Sequence, residues 1–283
     1  MNKVEKVLRI KGFLNLTIFL VLCYCGSTYK ITPVAQSIKD NLSNLHDVRQ
    51  VQLLAGTEYE TPAFFFESDQ PQPAILIIGG THGNEPAGYE AALRLVDRFY
   101  QSPPKRGKII IVPLANRVAI EKFDRRIAVP EGVDREKGNL NRCYPGNPEG
   151  YPMERLAYQI QQITIDNSVE VFIDLHEARR PHLETDTEGD EKGLGQTIIY
   201  HPNESSTWLV MQMLDQINSV IPDPDKHFSA LERPIKNSAS WWAGKYLDIA
   251  AFTFETPRNL AIEERIKYQL ILVDVVLEDR GIL

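Results

Sequence analysis

Hydrophobic residues along the chain follow two alternating spacings, and this alternation predicts an α/β fold. Residues 74–78 are continuously apolar and lie between a proline and a pair of glycines, which is typical of a strand buried on both faces. An apolar stripe at helical spacing then runs from Pro86 to about residue 100, and another apolar run occupies 109–112. Strand, glycine turn, helix and strand in this order make a crossover unit of a parallel sheet.

The remaining hydrophobic pattern predicts further strands and helices on both sides of this unit. Strands are expected at 51–54, 63–66, 169–175, 197–200 and 249–254, and helices at 153–165, 206–220, from Asn237 or Ser238 onward, and at 261–279. In the helix over 206–220, Trp208, Leu209, Met211 and Leu214 are expected on the apolar side.

Segments without a clear hydrophobic period are expected to be loops. Residues 28–48 are polar and weakly patterned, 116–151 are rich in charges and glycine, and the acidic stretch 184–192 resembles a surface loop. With 283 residues, 43% of them hydrophobic, the chain is long enough for one large core. The predicted fold is a single α/β domain with a central mixed, mostly parallel sheet flanked by helices on both faces.

The N-terminal segment has the pattern of a secretory signal. Four cations occur in a basic start, an apolar run extends from Phe13 to Cys25, and small residues follow at Gly26 and Ser27. Residues 1–27 are therefore predicted to be a signal peptide or an uncleaved N-terminal anchor, and a lipid on Cys23 or Cys25 is an alternative. We expect an exported protein, periplasmic or extracellular, or one anchored to the membrane, whose domain spans 28–283.

Charge and cysteine usage narrow the function classes. The formal net charge is −7, and no local basic patch is evident, so nucleic acid is not an expected partner. After the N-terminal segment, Cys143 is the only cysteine, which excludes an internal disulfide and a cysteine-rich zinc module. The expected partner is a small molecule or a peptide, and membrane contact is expected only through the N-terminal segment.

Two short segments deliver metal-ligand side chains at the ends of predicted buried strands. Residues 79–86 leave the first strand through glycines and place His82 and Glu85 three positions apart, just before a helix. The strand over 169–175 leads directly into His176. Two imidazoles and one carboxylate, with a fourth position open, are the ligands of catalytic zinc. Asp174 or a backbone carbonyl is expected to orient an imidazole.

Taken singly, each of these residues has an ordinary alternative interpretation. A histidine at a strand end is commonly a hydrogen-bonded surface residue, and the prediction of a site depends on the combination. Of the six histidines, the other four lack a comparable setting, although His182 and His201 flank the same region as candidate substrate contacts; the four are His46, His182, His201 and His227.

These motifs resemble the zinc carboxypeptidase superfamily, and within it the succinylglutamate desuccinylase/aspartoacylase branch. The resemblance extends from about Ala74 to Glu255. His-x-x-Glu after a glycine-rich strand end matches His82 and Glu85, and the Asp-Leu-His strand end matches His176. By this resemblance the three residues bind one Zn²⁺ per chain.

The resemblance also implies groups that contact the substrate. Asn139-Leu140-Asn141-Arg142 is similar to the family's Asp-x-Asn-Arg, with Asn in place of the acid, so that Asn141 and Arg142 are expected to hold a substrate carboxylate. An ordinary polar turn is the alternative. Asn116-Arg117-Val118-Ala119, followed by Arg125, is similar to the branch's Asn-Pro-x-Ala and a later arginine.

Arg125 is accordingly the candidate for stabilising the oxyanion, and Arg126 is its rival. A solvated surface arginine is the other interpretation. Glu255 ends the apolar strand run Phe252-Thr253-Phe254, as the superfamily's catalytic glutamate does. Burial raises a carboxyl pKa and suits it to act as general base, whereas a salt-bridged glutamate emerging at a strand end is the alternative.

The expected function is hydrolysis of an amide bond next to a substrate carboxylate, by a zinc-dependent deacylase of this branch acting on an N-acyl amino acid. An exported zinc carboxypeptidase acting on peptides, such as cell-wall peptides, is the alternative. Members of the branch usually carry a further β-rich C-terminal domain, whereas one helix is predicted after Glu255, so we expect an open site. Arg179-Arg180 either suits an acidic substrate or balances the charge of the acidic loop from Glu184 to Glu191. A metal-bearing binding protein without catalysis is the remaining alternative.

Overall fold

The structure is a computed structural model that describes residues 31–42, 45, 48–182 and 193–283. Its strands are β1 Arg49–Leu53, β2 Thr61–Glu67, β3 Ala74–Gly79, β4 Lys108–Val112, β5 Val169–Ala178, β6 Thr197–Tyr200, β7 Ser229–Leu231 and β8 Ala250–Pro257. Its α-helices are α1 Pro33–Asn41, α2 Pro86–Gln101, α3 Arg117–Glu121, α4 Pro152–Asp166, α5 Glu204–Ser219, α6 Ala239–Leu247 and α7 Ile262–Asp279.

The strands form one sheet of eight, in the order β1-β2-β4-β3-β5-β8-β6-β7. The four central strands, β4, β3, β5 and β8, are parallel to one another. Antiparallel pairing occurs further out, between β1 and β2, β2 and β4, and β6 and β8. The predicted fold class, a mixed and mostly parallel sheet within one α/β domain, is confirmed.

Helices cover both faces of this sheet. Side chains of α1, α2, α5 and α7 pack with one set of strand residues, and those of α3, α4 and α6 pack with the other. The central strands are buried on both sides, and every residue of β3 is buried. Because parallel strands are covered by helices on both faces, their sequences are continuous apolar runs, which made them predictable.

Helix α1 and part of α5 differ from the predicted pattern. Helix α1 lies within 28–48, which lacks a clear period; its first turn begins at a proline, and the Thr32 side chain accepts a hydrogen bond from the Ala35 amide. The expected burial of Trp208 and Met211 is wrong, since they are 60% and 62% exposed. The signal segment, 1–27, lies outside the described residues. No described helix combines the length and the hydropathy needed to cross a bilayer.

Two glycines set the position of the segment that joins β3 to α2. Gly80 has φ +76°, a left-handed conformation that favours glycine, and it turns the chain at the end of β3. At Gly88, in the first turns of α2, a Cβ would lie 2.3 Å from the carbonyl oxygen of Leu175 in β5. This close approach brings the N-terminus of α2 against the carboxyl end of β5, where His176 lies.

Candidate active site

The site lies where three parallel strands end side by side. Gly79 at the end of β3 pairs with Leu175 of β5, and His176 of β5 pairs with Glu255 of β8. Because the pairing is parallel, the carboxyl ends of these strands meet at one edge of the sheet, which is where open α/β sheets form their sites. His82 and Glu85 follow β3 at the same edge.

His82, Glu85 and His176, called the ligand cluster below, are buried together at this edge. Nδ1 of His82 lies 2.9 Å from Oε1 of Glu85, and Nδ1 of His176 lies 2.9 Å from Oε2 of the same carboxylate. One candidate ligand atom from each residue lies within 4.8 Å of the others. The three predicted ligands are therefore brought together.

The outer nitrogen of each imidazole also lies close to a side-chain oxygen. Nε2 of His82 lies 3.0 Å from Oδ1 of Asn139, and Nε2 of His176 lies 2.9 Å from Oδ2 of Asp174. Thr81 donates its hydroxyl to the other oxygen of Asp174 at 2.8 Å. When the outer nitrogens carry the protons, both Nδ1 lone pairs point at the Glu85 carboxylate, and such converging electron pairs suit a cation. The donor set fits zinc, which prefers imidazole nitrogen and carboxylate oxygen.

Charges in the cluster oppose the effect of burial. Burial alone would raise the pKa of Glu85, but the two neighbouring imidazoles hold it well below the ordinary value. Burial likewise acts to lower the pKa of His176, yet the charges of Asp174 and Glu85 outweigh it and raise that pKa well above the ordinary value. Burial lowers the pKa of His82. The carboxylate is thus ionised, as a metal ligand must be.

Glu255 lies beside the cluster in the setting predicted for it. Its side chain is 8% exposed, and within the described residues its buried Oε2 has no hydrogen-bond partner. Burial raises the pKa of Glu255 to about 8, an effect that His176 opposes. A buried carboxyl group that has an oxygen without a hydrogen-bond partner and a pKa near neutrality has the properties of a general acid and base.

The structure distinguishes the two candidate arginines for the oxyanion. Arg125 donates from Nη1 to Oε1 of Glu85 at 2.8 Å and lines the cavity in front of it. Arg126 instead pairs with Glu136. Of these two arginines, Arg125 is therefore the one that contacts the ligand cluster.

A cavity of about 620 Å³ reaches Glu85 of the ligand cluster, and four arginines line it: Arg125, Arg179, Arg180 and Arg258. Glu85 and Glu255 also line it. Nη2 of Arg258 lies 3.4 Å from Oε1 of Glu85 and 3.3 Å from Oδ1 of Asn84. We call it the arginine-lined cavity.

Asn141 and Arg142, the predicted carboxylate anchor, lie in the neighbouring turn. Arg142 donates from Nη1 to the carbonyl of Asn141 at 2.7 Å, and its Nε lies 3.9 Å from Oε2 of Glu136. Among the described residues, the buried Oδ1 of Asn141 lacks a partner. Their role as an anchor stays a prediction, since neither is among the residues that line the arginine-lined cavity.

Sequence reasoning missed Arg258 and did not foresee the partners that brace the two strand ends. Gln269 of α7 donates from Nε2 to the carbonyl of His176 at 2.9 Å and to Oγ1 of Thr256 at 3.1 Å. Glu177 pairs with Arg265 of the same helix. The available signal for Arg258 was its place three residues after Glu255 at the end of a buried strand.

The remaining histidines lie outside the ligand cluster. Nδ1 of His182 lies 3.1 Å from the carbonyl of Gly193, and Nε2 of His227 lies 2.9 Å from the carbonyl of Ile221. His201 follows β6 at the end opposite the one that pairs with Glu255. His46 is outside the described residues.

Comparison with protein families gives one match over the segment that carries most of these residues. Residues 71–185 match the succinylglutamate desuccinylase/aspartoacylase catalytic domain. The matched segment includes the ligand cluster and Arg125, and it ends before Glu255. The resemblance predicted from the sequence is confirmed.

Two individual proteins also resemble this chain. The N-alpha-acetyl-L-2,4-diaminobutyric acid deacetylase of Halomonas elongata is 35% identical over 108 residues, which are 38% of this chain and 29% of that protein. An aspartoacylase family protein from Mesorhizobium loti has a TM-score of 0.58 at 22% identity, over 83% of this chain and 67% of that one.

The zinc carboxypeptidase-like fold is also found in a cell-shape protein. Tripeptide-bound Csd4 of Helicobacter pylori has a TM-score of 0.63 at 16% identity, over 78% of this chain and 55% of that one. The chain thus covers less than two thirds of the deacetylase and of Csd4. At these identities the solved structures establish the fold.

Proposed function

We propose that the protein is a zinc-dependent hydrolase that cleaves an amide C–N bond next to a substrate carboxylate, as a deacylase of N-acyl amino acids. One observation carries the proposal: the buried Glu255, whose Oε2 has no hydrogen-bond partner among the described residues, pairs in register with His176 of the ligand cluster and lines the arginine-lined cavity. Metal-assisted amide hydrolysis needs a metal site, a general base and a site that binds the substrate, here one that suits an anionic substrate.

The residues of this chain have distinct tasks in that reaction. When bound by the ligand cluster, zinc supplies a Lewis acid for the carbonyl and for the attacking water. Glu255 takes a proton from the water on one of its carboxylate oxygens and returns it to the leaving nitrogen. Arg125 donates hydrogen bonds to the oxygen that gains negative charge. The bond that forms is carbon to water oxygen, and the bond that breaks is carbon to nitrogen.

The arginines favour an acidic substrate. Arg179, Arg180 and Arg258 line the same cavity as Glu255. A guanidinium matches a carboxylate in two parallel hydrogen bonds. The deacetylase relative is named for an N-acetylated amino acid. A small N-acyl amino acid with a free carboxylate fits both observations.

The second candidate is a carboxypeptidase, and a specific feature of the surface favours it. A further cavity of about 680 Å³ adjoins the arginine-lined cavity, and the two share Asn84, Arg125 and Arg179. The second cavity offers room for further residues of a peptide beside the first. Csd4, described as a D,L-carboxypeptidase, has the same fold and has been solved with a tripeptide and with mDAP.

A paired substrate screen tests the proposed reaction. Zinc-loaded protein is assayed against N-acetyl and N-succinyl amino acids, against short peptides, and against the matching C-terminal amides, which lack the carboxylate. We expect cleavage of the acids, with kcat/KM about 10-fold or more lower for the amides because a charged hydrogen bond is lost. Faster cleavage of peptides than of N-acyl amino acids supports the carboxypeptidase; absence of amide cleavage from all of them contradicts both.

Arg258→Gln is expected to impair selectively the substrates that carry a second carboxylate. Loss of a charge-assisted hydrogen bond should raise KM for an N-succinyl amino acid about 10-fold, with a much smaller change for the N-acetyl analogue. Arg49→Gln, at the outer edge of the sheet, is the matched control. An equal loss on both substrates with unchanged zinc content would contradict this role for Arg258.

We also propose that residues 1–27 direct export, on the basis of their basic and apolar pattern. The site proposed here is compatible with substrates outside the cytoplasm, including peptides of the cell wall. Fractionation of cells that express the full chain, compared with a chain starting at Thr28, tests this: the full chain should be found outside the cytoplasm and the shorter one inside.

A further inference from the structure

Asn139 stands at the position where the resembled motif has an acid, and it contacts His82 directly. Its Oδ1 lies 3.0 Å from Nε2 of His82 and accepts a hydrogen bond from the backbone amide of Asn141 at 3.2 Å. Its Nδ2 donates to Oε2 of Glu136 at 2.7 Å. Asn139 is 1% exposed, so these protein groups are its surroundings.

The two outer partners allow only one orientation of the Asn139 amide. The backbone amide of Asn141 only donates, and the Glu136 carboxylate only accepts. Turning the amide by 180° would set two donors against each other at Asn141 and two acceptors against each other at Glu136. An acceptor, Oδ1, therefore faces His82, so the proton of the imidazole lies on Nε2 and the lone pair lies on Nδ1, the atom next to Glu85.

We propose that Glu136 is a positioning residue for the metal site, which acts through Asn139 by fixing the amide and thereby the tautomer of His82. Where the motif has a carboxylate at position 139, this chain has the neutral Asn139 amide next to His82. The carboxylate of Glu136 lies on the far side of that amide. This inference rests on the metal site of the proposed function. Glu136 lies in the short helical turn Arg135–Gly138 and does not itself contact His82, so it acts on the metal site only through Asn139.

The same carboxylate connects the metal site with the predicted substrate anchor. Glu136 pairs with Arg126 and lies 3.9 Å from Nε of Arg142. The Asn141 amide that fixes Asn139 belongs to the same turn. The Glu136 side chain thus fixes the Asn139 amide that orients His82, and it also lies against the guanidinium groups of Arg126 and Arg142. His176 differs, because the carboxylate of Asp174 faces it without an intervening amide.

Three variants test this arrangement by zinc affinity, measured in competition with a chelator. In Glu136→Leu the amide loses its acceptor, and the zinc Kd should rise about 10- to 100-fold, as is usual when a hydrogen-bond partner of a metal ligand is disturbed. Asn139→Asp sets a carboxylate against Glu136, and like charges at this distance should also weaken zinc binding about 10-fold or more.

The double variant Glu136→Gln/Asn139→Asp exchanges the amide and the carboxylate. The introduced glutamine then donates to the introduced aspartate, and that aspartate accepts from both His82 and the Asn141 amide. Zinc affinity should return to within about 3-fold of the wild type, since every donor again meets an acceptor. A residue that only maintains the loop would not be rescued by a second substitution, so this recovery distinguishes positioning from packing.

Glu131→Leu, an exposed glutamate of the preceding loop, is the matched control and should bind zinc as the wild type does. Thermal unfolding of each metal-free variant reports whether the fold is retained. Wild-type affinity in Glu136→Leu or in Asn139→Asp, or failure of the double variant to exceed Asn139→Asp, would overturn the inference. Absence of zinc binding by the wild type would instead overturn the proposed function, so the two failures are distinguishable.

Discussion

Glu255→Gln is expected to lower kcat by about 10²- to 10⁴-fold, the usual contribution of a general base, while the protein still binds zinc. Glutamine has nearly the same shape and cannot accept the proton of the attacking water. Because Glu255 is outside the ligand cluster, the metal ligands are unchanged. Steady-state kinetics and metal analysis of the same preparation provide the measurement.

The pH profile of this variant gives a second readout. Burial raises the pKa of Glu255 to about 8, so the base is ionised only above its pKa, and activity should be lost as the pH falls through it. A bound cation favours the carboxylate, so the acid limb of kcat/KM in the zinc-loaded enzyme should lie below 8. That limb should be missing from the residual activity of Glu255→Gln.

Glu170→Gln is the matched control for this pair of measurements. Glu170 lies on β5, in the same sheet, and is exposed at the end away from the site. Its kcat and its pH profile should equal those of the wild type. A near-normal kcat in Glu255→Gln would show that another group is the base.

His176→Ala is expected to abolish both zinc binding and activity. The substitution removes one of the three proposed ligands and leaves the buried Asp174 without the imidazole beside it. Zinc affinity should fall by more than the roughly 10- to 100-fold that disturbance of a ligand's hydrogen-bond partner costs. Isothermal titration with zinc, together with the amide hydrolysis assay, measures both effects.

His201→Ala serves as the control for that variant, because His201 lies at the other end of the sheet from the ligand cluster. It should keep full zinc affinity and activity. If His176→Ala retained wild-type zinc affinity, the ligand cluster would not be the metal site.

The central strands could be predicted because burial on both faces requires a continuous apolar run, and such a run is visible within a short stretch of sequence. β3, β4, β5 and β8 are buried on both faces, and their continuous apolar runs at 74–78, 109–112, 169–175 and 249–254 identify them without knowledge of their neighbours. The grouping of the candidate ligands was predictable for a related reason. His82 and Glu85 follow one such run, and His176 ends another.

Features that depend on tertiary contacts could not be predicted in this way. Trp208 has the helical spacing of a buried residue, but its indole donates to Asp279 of α7 at the surface. Helix α1 has few apolar residues and is held by Thr32, which donates from its backbone amide to Glu90 of α2 at 3.0 Å. Neither partner is evident from the neighbouring sequence.

The substitution of Asn for Asp at position 139 shows the same limit within the site. The sequence shows that Asn139 departs from the motif, but it does not show which group contacts the Asn139 amide. The structure supplies the missing partner, Glu136, whose carboxylate lies behind the amide. Arg258 was overlooked because its role depends on the cavity that folding creates between β8 and the turn at Asn84.

Zinc content coupled to activity tests the central claim most directly. The mature protein is stripped with a chelator, dialysed, and titrated with zinc while hydrolysis of an N-acyl amino acid is followed. Activity should disappear on stripping and return in proportion to bound zinc, with a plateau at about one ion per chain, as expected for a single site of three protein ligands. Full hydrolysis by the metal-free protein would contradict the account.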